Sequence, residues 1–221
     1  MLQNKCTLKK THSIISWLSN ILLAGILLSI GILLTGCKDS PLKDNRPARE
    51  ITFALHPFET MSQHDVSDVY SALIKIYPSV KINESIKLPN GAWYAPRSRY
   101  RADSLIKYLS NKTPASHITI GLTSKDISTA KAGFADWGVI GLGYCPGKAC
   151  VVSTYRLAGK DIASQLYKLC LHEWGHTLGL PHCAVSTCFM RDAEGKNPFN
   201  EETGFCNNCK AKLVVKGWHL N

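Results

Sequence analysis

The sequence predicts a mixed α/β (α+β) fold with a twisted mixed sheet, because segments of helical and of strand periodicity alternate along it. Apolar residues recur at helical spacing in 64–76, and Ile118, Ile120 and Leu122 alternate as in a strand. The residues after Gly179 show neither pattern, which predicts a small irregular carboxyl-terminal subdomain. The predicted elements in chain order are a strand at 51–55, helices at 64–76 and 97–109, strands at 118–122, 137–144 and 150–155, and a helix at 161–178.

The amino-terminal residues 1–36 have the pattern of a bacterial lipoprotein signal peptide. Lys5, Lys9 and Lys10 form a basic start, and 21–34 is an apolar or small run that is short for a membrane span. The run ends in the sequence L-T-G-C, which resembles a lipobox and predicts that Cys37 is lipidated. An uncleaved transmembrane anchor and an ordinary secretory signal are the alternatives.

The predicted organisation is a signal peptide at 1–36, a tether at 37–49 and a folded domain at 50–221. The domain is expected to have an upper subdomain at 50–179 and a lower one at 180–221. We expect a monomer in the bacterial cell envelope, held on a membrane by its lipid and facing outside the cytoplasm. Removal of the signal lowers the formal net charge from +10 to +7. Scattered Lys and Arg argue against nucleic-acid binding, and weak attraction to anionic lipid or cell-wall polymer is a secondary reading.

The last predicted helix carries the residues for chemistry, because 172–183 read H-E-x-x-H-x-x-G-x-x-H-C. His172 and His176 are four apart and share a helix face, and Gly179 can end the helix so that His182 returns as a third ligand. Three nitrogen ligands leave one zinc position open to water, as in a catalytic site. Glu173 lies at the rim of that face, where it can take a proton from the zinc-bound water as it attacks a carbonyl.

Four cysteines after this motif are spaced as in an all-cysteine structural zinc site. Cys183 and Cys188 form C-x4-C, and Cys206 and Cys209 form C-x2-C. Two disulfides are the alternative, which the short C-x2-C loop disfavours. Because His182 directly precedes Cys183, filling the thiolate site is expected to hold that histidine in place for the catalytic zinc.

A second pair of cysteines has a different setting. Cys145 and Cys150 flank a Pro-Gly turn between two predicted strands, which predicts a cross-strand disulfide. Outside the cytoplasm thiols tend to oxidise, whereas a four-thiolate zinc site needs reduced cysteines. Zinc bound early in folding would protect them, since metal binding and folding are coupled in such sites.

The motif residues resemble the archaemetzincins, zinc metallopeptidases of the metzincin clan with the signature H-E-x-x-H-x-x-G-x-x-H-C-x4-C-x-M followed by C-x-x-C. The resemblance spans about 50–216. It implies a zincin-like fold, peptide hydrolysis, a second structural zinc, and a Met-turn at Met190 beneath the histidines. The interval from Met190 to Cys206 is shorter than expected for the family, and Cys145 and Cys150 are additional to its pattern.

These observations predict a membrane-anchored metallopeptidase with two zinc ions, acting on a peptide or protein. One of the strands at 137–144 and 150–155 is expected to be a sheet edge beside the cleft, where an extended substrate can add as a strand. A non-catalytic zinc-stabilised scaffold lipoprotein is an alternative, and a zinc amidase acting on cell-wall peptides is another. Glu173 favours an enzyme, because a scaffold gains nothing from a base that is not a ligand.

Overall fold

The computed structural model describes residues 2–4, 51–131, 133–159, 161–193 and 197–218. Cys37, the tether at 37–49, and all of the predicted signal except residues 2–4 therefore lie outside the described residues. Within the part of the chain that is described, no helix is both long and apolar enough to cross a membrane.

A six-stranded mixed sheet forms the centre of the folded domain. Its spatial order is β1-β9-β10-β6-β2-β3, and all neighbours are parallel except β9 and β10. β6 is buried along nearly its whole length, as expected for a central parallel strand with helices on both faces. The strands are β1 (Leu2–Asn4), β2 (Thr52–Pro57), β3 (Val80–Ile82), β6 (His117–Thr123), β9 (Gly141–Gly143) and β10 (Ala149–Ser153).

A second sheet of four strands has the order β4-β5-β7-β8. Its strands are β4 (Trp93–Tyr94), β5 (Arg99–Arg101), β7 (Ile127–Lys131) and β8 (Phe134–Val139). The predicted strand at 137–144 is therefore two strands, β8 and β9, in different sheets. The chain crosses between them at Ile140, whose carbonyl accepts a hydrogen bond from the Ser153 N–H at 2.7 Å.

The described residues contain four helices: α1 (Gln63–Leu73), α2 (Ala102–Lys112), α3 (Ile162–Thr177) and α4 (Asn207–Val215). α1 and α3 pack in one apolar cluster and α2 packs in another, on the opposite face of the sheet. The Asp161 side chain caps α3 by accepting from the Ser164 N–H. Trp174 fixes the helix on the sheet, with its ring 4.1 Å from that of Phe53 in β2.

Two helical predictions need correction. The helix predicted at 97–109 begins only at Ala102, because Ser98 has a left-handed φ of 48° and Tyr100 pairs with Trp93 and Ile127 in the second sheet. The carboxyl-terminal subdomain is irregular between α3 and α4, as predicted, but α4 itself was not expected. Its apolar residues do not recur at helical spacing, because Leu213, Val214 and Val215 are consecutive and the two valines are exposed.

Candidate metal centres

Three histidine rings converge at the end of α3. His172 and His176 project from one face of the helix, which ends where Gly179 takes a φ of +90°. The chain then turns back, with the Leu180 N–H donating to the Gly175 carbonyl at 2.9 Å, and brings His182 to the other two. One nitrogen from each ring lies within 4.8 Å of the others.

The outer nitrogen of each ring is held by an oxygen acceptor. The Nδ1 atoms of His172 and His176 lie 2.6 and 2.7 Å from the carbonyl oxygens of Phe189 and Leu180, and Nδ1 of His182 lies 2.9 Å from Asp192 Oδ2. A carbonyl oxygen only accepts hydrogen bonds, so Nδ1 of His172 and of His176 carries the proton. The Nε2 lone pairs are then free to bind a metal.

Among the described residues, the Nε2 atoms of the three rings have no hydrogen-bond partner that would explain why they lie so close together. Nε2 of His172 and Nε2 of His176 are 2.9 Å apart, and Nε2 of His182 is buried without a hydrogen-bond partner. Burial lowers the pKa of His172 well below its usual value and lowers that of His176 to about 4, so both rings are neutral. Facing lone pairs repel unless a cation lies between them, and three neutral imidazoles are a donor set that zinc prefers.

Glu173 lies beside the histidines without joining their cluster. Its side chain is fully buried, and both carboxylate oxygens lack a hydrogen-bond partner. Burial raises its pKa well above the usual value of a glutamate. The carboxylate packs against strand β9, where a Cβ on Gly141 would collide with Oε1 and a Cβ on Gly143 would lie 3.0 Å from Oε2.

Met190 lies beneath the histidines, where the family resemblance places a Met-turn. The side chain is fully buried and packs against α3 at Gly175, where an added Cβ would collide with the Met190 sulfur. Glycine at this position therefore allows the methionine to approach the helix backbone between His172 and His176.

The four carboxyl-terminal cysteines form a second cluster. All four are free thiols, and their sulfur atoms lie within 4.8 Å of one another. The structure therefore contradicts the alternative of two disulfides among them. The Sγ atoms of Cys183 and Cys206 are 3.7 Å apart. The set is Cys183, Cys188, Cys206 and Cys209.

The electrostatics of this cluster favour a thiolate at Cys206. Partial burial raises the pKa of the Cys206 thiol, but hydrogen bonds from the Cys209 backbone and from the three neighbouring thiols outweigh this and lower it to about 7. The Cys206 N–H in turn donates to Cys188 Sγ at 3.4 Å. Four sulfurs at this separation fit one tetrahedral zinc ion.

Two backbone links connect the clusters. Cys183 directly follows His182, as the sequence indicated. The second link was not predicted: the carbonyl that holds His172 belongs to Phe189, which directly follows Cys188. A sequence carries no signal for a backbone carbonyl acceptor. Asp192, which contacts His182, is not predicted either, because a single aspartate ten residues after that histidine belongs to no motif used in the sequence analysis.

The predicted disulfide between Cys145 and Cys150 is wrong, because Cys150 is a free, fully buried thiol. Cys150 pairs with Gly143 across β9 and β10, so Cys145 already lies beyond the end of the ladder. The Cys150 side chain enters the core cluster that contains Cys170, whereas Cys145 Sγ lies 3.5 Å from the carbonyl oxygen of Leu180.

A helix bearing H-E-x-x-H, a third histidine after a glycine turn and a methionine below them define a zinc metallopeptidase of the metzincin type. The model of peptidase family M54 matches residues 58–215, so the chain belongs to that family and is a zinc metallopeptidase. It is similar to the archaemetzincin of Natronomonas pharaonis, with 31% identity over 158 residues, 65% of this chain and 88% of that protein. It is also similar to that of Methanopyrus kandleri, with 33% identity over 136 residues, 58% of this chain and 73% of that protein.

Solved structures agree with this assignment. The archaemetzincin of Archaeoglobus fulgidus, complexed with malonate, has a TM-score of 0.64 and 26% identity and covers 73% of this chain and 99% of its own. The archaemetzincin of Methanopyrus kandleri has a TM-score of 0.65 and 26% identity and covers 78% of this chain and 98% of its own. The predicted fold class and the predicted archaemetzincin family are both confirmed.

Proposed function

We propose that this metallopeptidase cleaves extended peptides with Glu173 as the general base. The observation that carries the proposal is the buried Glu173 carboxylate, which has no hydrogen-bond partner and lies beside three convergent imidazoles. His172, His176 and His182 would hold the catalytic zinc ion, which when bound would polarise the scissile carbonyl and acidify water. Glu173 takes a proton from the attacking water and delivers it to the leaving amine as the C–N bond breaks and the C–O bond forms.

The position of the substrate is supported by the edge of β9. Beyond β9 the sheet continues only with β1 in the described residues, and Gly141, Leu142 and Gly143 pair there with Leu2–Asn4. This edge therefore accepts an extended strand directly beside Glu173. Residues 2–4 belong to the proposed signal peptide, so its removal would leave the edge to a substrate backbone.

We also propose that the enzyme holds two zinc ions, one in each cluster. The separate histidine and cysteine sets each bring three or four ligand atoms within 4.8 Å. The histidine set leaves a position for substrate, whereas four thiolates complete a tetrahedron and suit a structural ion. Metal analysis of the purified protein tests this directly: two zinc ions per chain are expected, and one per chain after either ligand set is removed.

The Glu173→Gln variant tests the catalytic role. The amide keeps the shape of the side chain but cannot accept the proton, so we expect kcat to fall by about 10²–10⁴ while zinc content and Tm stay unchanged. Hydrolysis of a peptide library, measured by mass spectrometry, gives the rate. Glu84→Gln, on the exposed surface, is the control. Undiminished cleavage by fully metallated Glu173→Gln would exclude Glu173 as the base.

We further propose that the protein is a monomeric lipoprotein of the bacterial cell envelope, attached to a membrane through Cys37 and facing outside the cytoplasm. The L-T-G-C sequence after an apolar run supports this proposal. Metabolic labelling with a fatty acid should label the wild-type protein and leave Cys37→Ser unlabelled in the soluble fraction. Cys6→Ser is a matched control, because it removes the other cysteine of this segment. Fatty-acid label on the Cys37→Ser protein would contradict attachment of the lipid to Cys37.

A further inference from the structure

An arginine-rich cavity lies on the second sheet, outside the metal centres. Its volume is about 440 Å³. Arg97, Arg99 and Arg156 line it, and the rings of Phe134 and Trp137, 5.1 Å apart, form an aromatic wall. Gly138 follows Trp137 on β8, where an added Cβ would collide with the Arg156 guanidinium. Glycine at 138 therefore lets that guanidinium lie against the strand.

The positive charge of this cluster is only half neutralised. Among the described residues, two carboxylates contact four guanidinium groups, so two positive charges remain in a partly buried site. Arg156 binds Asp126 through two hydrogen bonds of 2.8 and 2.9 Å, and Arg99 Nε lies 3.2 Å from the same carboxylate. Asp136 is shared by Arg97, Arg99 and Arg101 at 3.8, 3.4 and 3.0 Å.

Arg97 is the arginine best placed to bind a further anion. Its side chain is 63% exposed and its contact with Asp136 is 3.8 Å, beyond hydrogen-bond distance. Arg99, in contrast, is 11% exposed and lies close to both carboxylates. Phe134 is 56% exposed beside them, so apolar and cationic surface meet at the mouth of the cavity. Lys131, with Nζ 5.2 Å from the centre of the Trp137 ring, adds positive charge there.

The cavity lies close in the chain to the substrate edge. β8 is the outer strand of the second sheet and continues after one residue into β9, which contacts Glu173. Gly138 and Gly141 are three residues apart, so their Cα atoms are at most about 11 Å apart. An extended peptide advances about 3.3 Å per residue, so a side chain roughly three to five residues from the scissile bond reaches the arginines.

We propose that this cavity is a substrate subsite for a carboxylate, supplied by an acidic side chain or by the free carboxyl terminus of the peptide. Guanidinium groups bind carboxylates through paired charge-assisted hydrogen bonds, and the aromatic wall covers the apolar part of the bound segment. The inference rests on the proposed function, because it uses the β9 edge as the path of the substrate.

Binding to the zinc-loaded Glu173→Gln protein without its proposed signal peptide (residues 37–221) tests the subsite without cleavage, because residues 2–4 then no longer pair with β9. The probes are fluorescein-labelled octapeptide amides in which one glutamine at a time is replaced by glutamate, and the glutamine peptide with a free carboxyl terminus. Fluorescence anisotropy should show about tenfold tighter binding for glutamate at one or two positions, as expected for one hydrogen-bonded charge pair. Adding Arg97→Gln should reduce that ratio to about two or less. Tightening by the free terminus instead identifies that group as the natural carboxylate.

Lys107→Gln, an exposed charge change on α2, is the matched control and should leave the ratio unchanged. Arg97→Lys keeps the charge but loses the paired geometry, and should give an intermediate ratio. Equal affinity for every peptide in the series would overturn the subsite even if the wild-type enzyme cleaves them. Arginine-dependent tightening without any wild-type cleavage would support the subsite and contradict the proposed function. An Arg97 effect on anionic phospholipid vesicles but on none of the peptides would assign the surface to membranes and overturn the proposal.

Discussion

The histidine centre and the cysteine centre are neighbours in the chain but are held in place differently. In the histidine centre, two rings project from α3 and every outer nitrogen contacts an oxygen of the protein. The cysteines lie mostly on irregular segments, and their sulfurs contact one another and the N–H groups of Val185 and Cys206. The fold therefore orients the ligands of the first centre through its own contacts, whereas the second centre, in the proposed two-zinc enzyme, would depend on its metal to hold it together.

The largest expected effect follows from removing one ligand from each centre. Cys206→Ser should lower Tm by roughly 10 °C or more, because structural zinc contributes to folding directly and ~1 kcal/mol corresponds to about 2–4 °C in a domain of this size. His182→Ala should abolish peptide cleavage but lower Tm by only about 2–4 °C, because α3 and its packing remain. Calorimetry and peptide hydrolysis measure the two effects.

The two links between the centres add a second outcome for Cys206→Ser. Cys183 adjoins His182 and Cys188 adjoins Phe189, whose carbonyl orients His172, so a loosened thiolate site should also weaken zinc binding by the histidines. Competition with a chromophoric chelator gives that affinity. If Tm falls while the histidine centre keeps its full affinity, the links do not transmit the change. Equal decreases of Tm in Cys206→Ser and His182→Ala would mean that both centres contribute equally to stability.

A smaller effect is expected from Asp192→Ala, which tests whether the histidine centre is prepared by its outer contacts. Asp192 Oδ2 lies 2.9 Å from Nδ1 of His182 and orients that ring. Loss of such a contact lowers metal affinity by about 10–100-fold in other zinc sites. Chelator competition should show this loss, with little change in Tm, because Asp192 is half exposed.

The control for Asp192→Ala is Asp68→Ala. Asp68 also lies 2.9 Å from the Nδ1 atom of a histidine, His64, but on the exposed surface of α1 and away from both clusters. The Asp68→Ala substitution removes the same kind of contact without touching a proposed metal ligand, so zinc affinity should not change. A similar affinity for Asp192→Ala and wild-type protein would mean that His182 is oriented by its backbone alone.

The sequence allowed the ligand sets to be predicted because their spacing is tied to helix geometry and to one glycine turn. His172 and His176 need only a regular helix, and the four cysteines follow a spacing that zinc sites share. The order of the strands, by contrast, depends on distant pairing. Nothing local indicates that 134–139 and 141–143 belong to different sheets, because the division depends on β8 pairing with β7 and β9 pairing with β10.

Other errors have the same origin. Residues 97–101 show helical spacing, yet pairing of Tyr100 with Trp93 and Ile127 places them in a sheet. The proximity of Cys145 and Cys150 in the sequence predicts a disulfide, whereas Cys150 is a free, buried thiol in β10 and Cys145 lies beyond the end of the β9–β10 ladder. Tertiary pairing overrides local pattern in both cases. Asp192 and the Phe189 carbonyl were found only in three dimensions, because neither follows a sequence motif.

The irregular segment between Cys188 and Cys206 contains a buried acid, Glu202. Its ionisation makes the stability of this segment depend on pH. Glu202 is 2% exposed, and neither carboxylate oxygen has a hydrogen-bond partner. Burial raises its pKa to about 7, against the opposing influence of Lys168 and Arg191 and with some help from Glu201. The folded state therefore retains a proton here that the unfolded chain has lost above about pH 4.5.

The smallest expected effect is that of Glu202→Gln, and it depends on pH. Since the folded protein binds more protons than the unfolded chain between about pH 4.5 and 7, the stability contributed by Glu202 falls as the pH rises through this range. The neutral amide avoids this loss, so Glu202→Gln should raise Tm by about 2–4 °C at pH 8.5 and by less at pH 6. Glu84→Gln, on the exposed surface, should show no such dependence. A Tm difference that is the same at both pH values would mean that the glutamate stays ionised in the folded protein, and that this segment tolerates a buried charge.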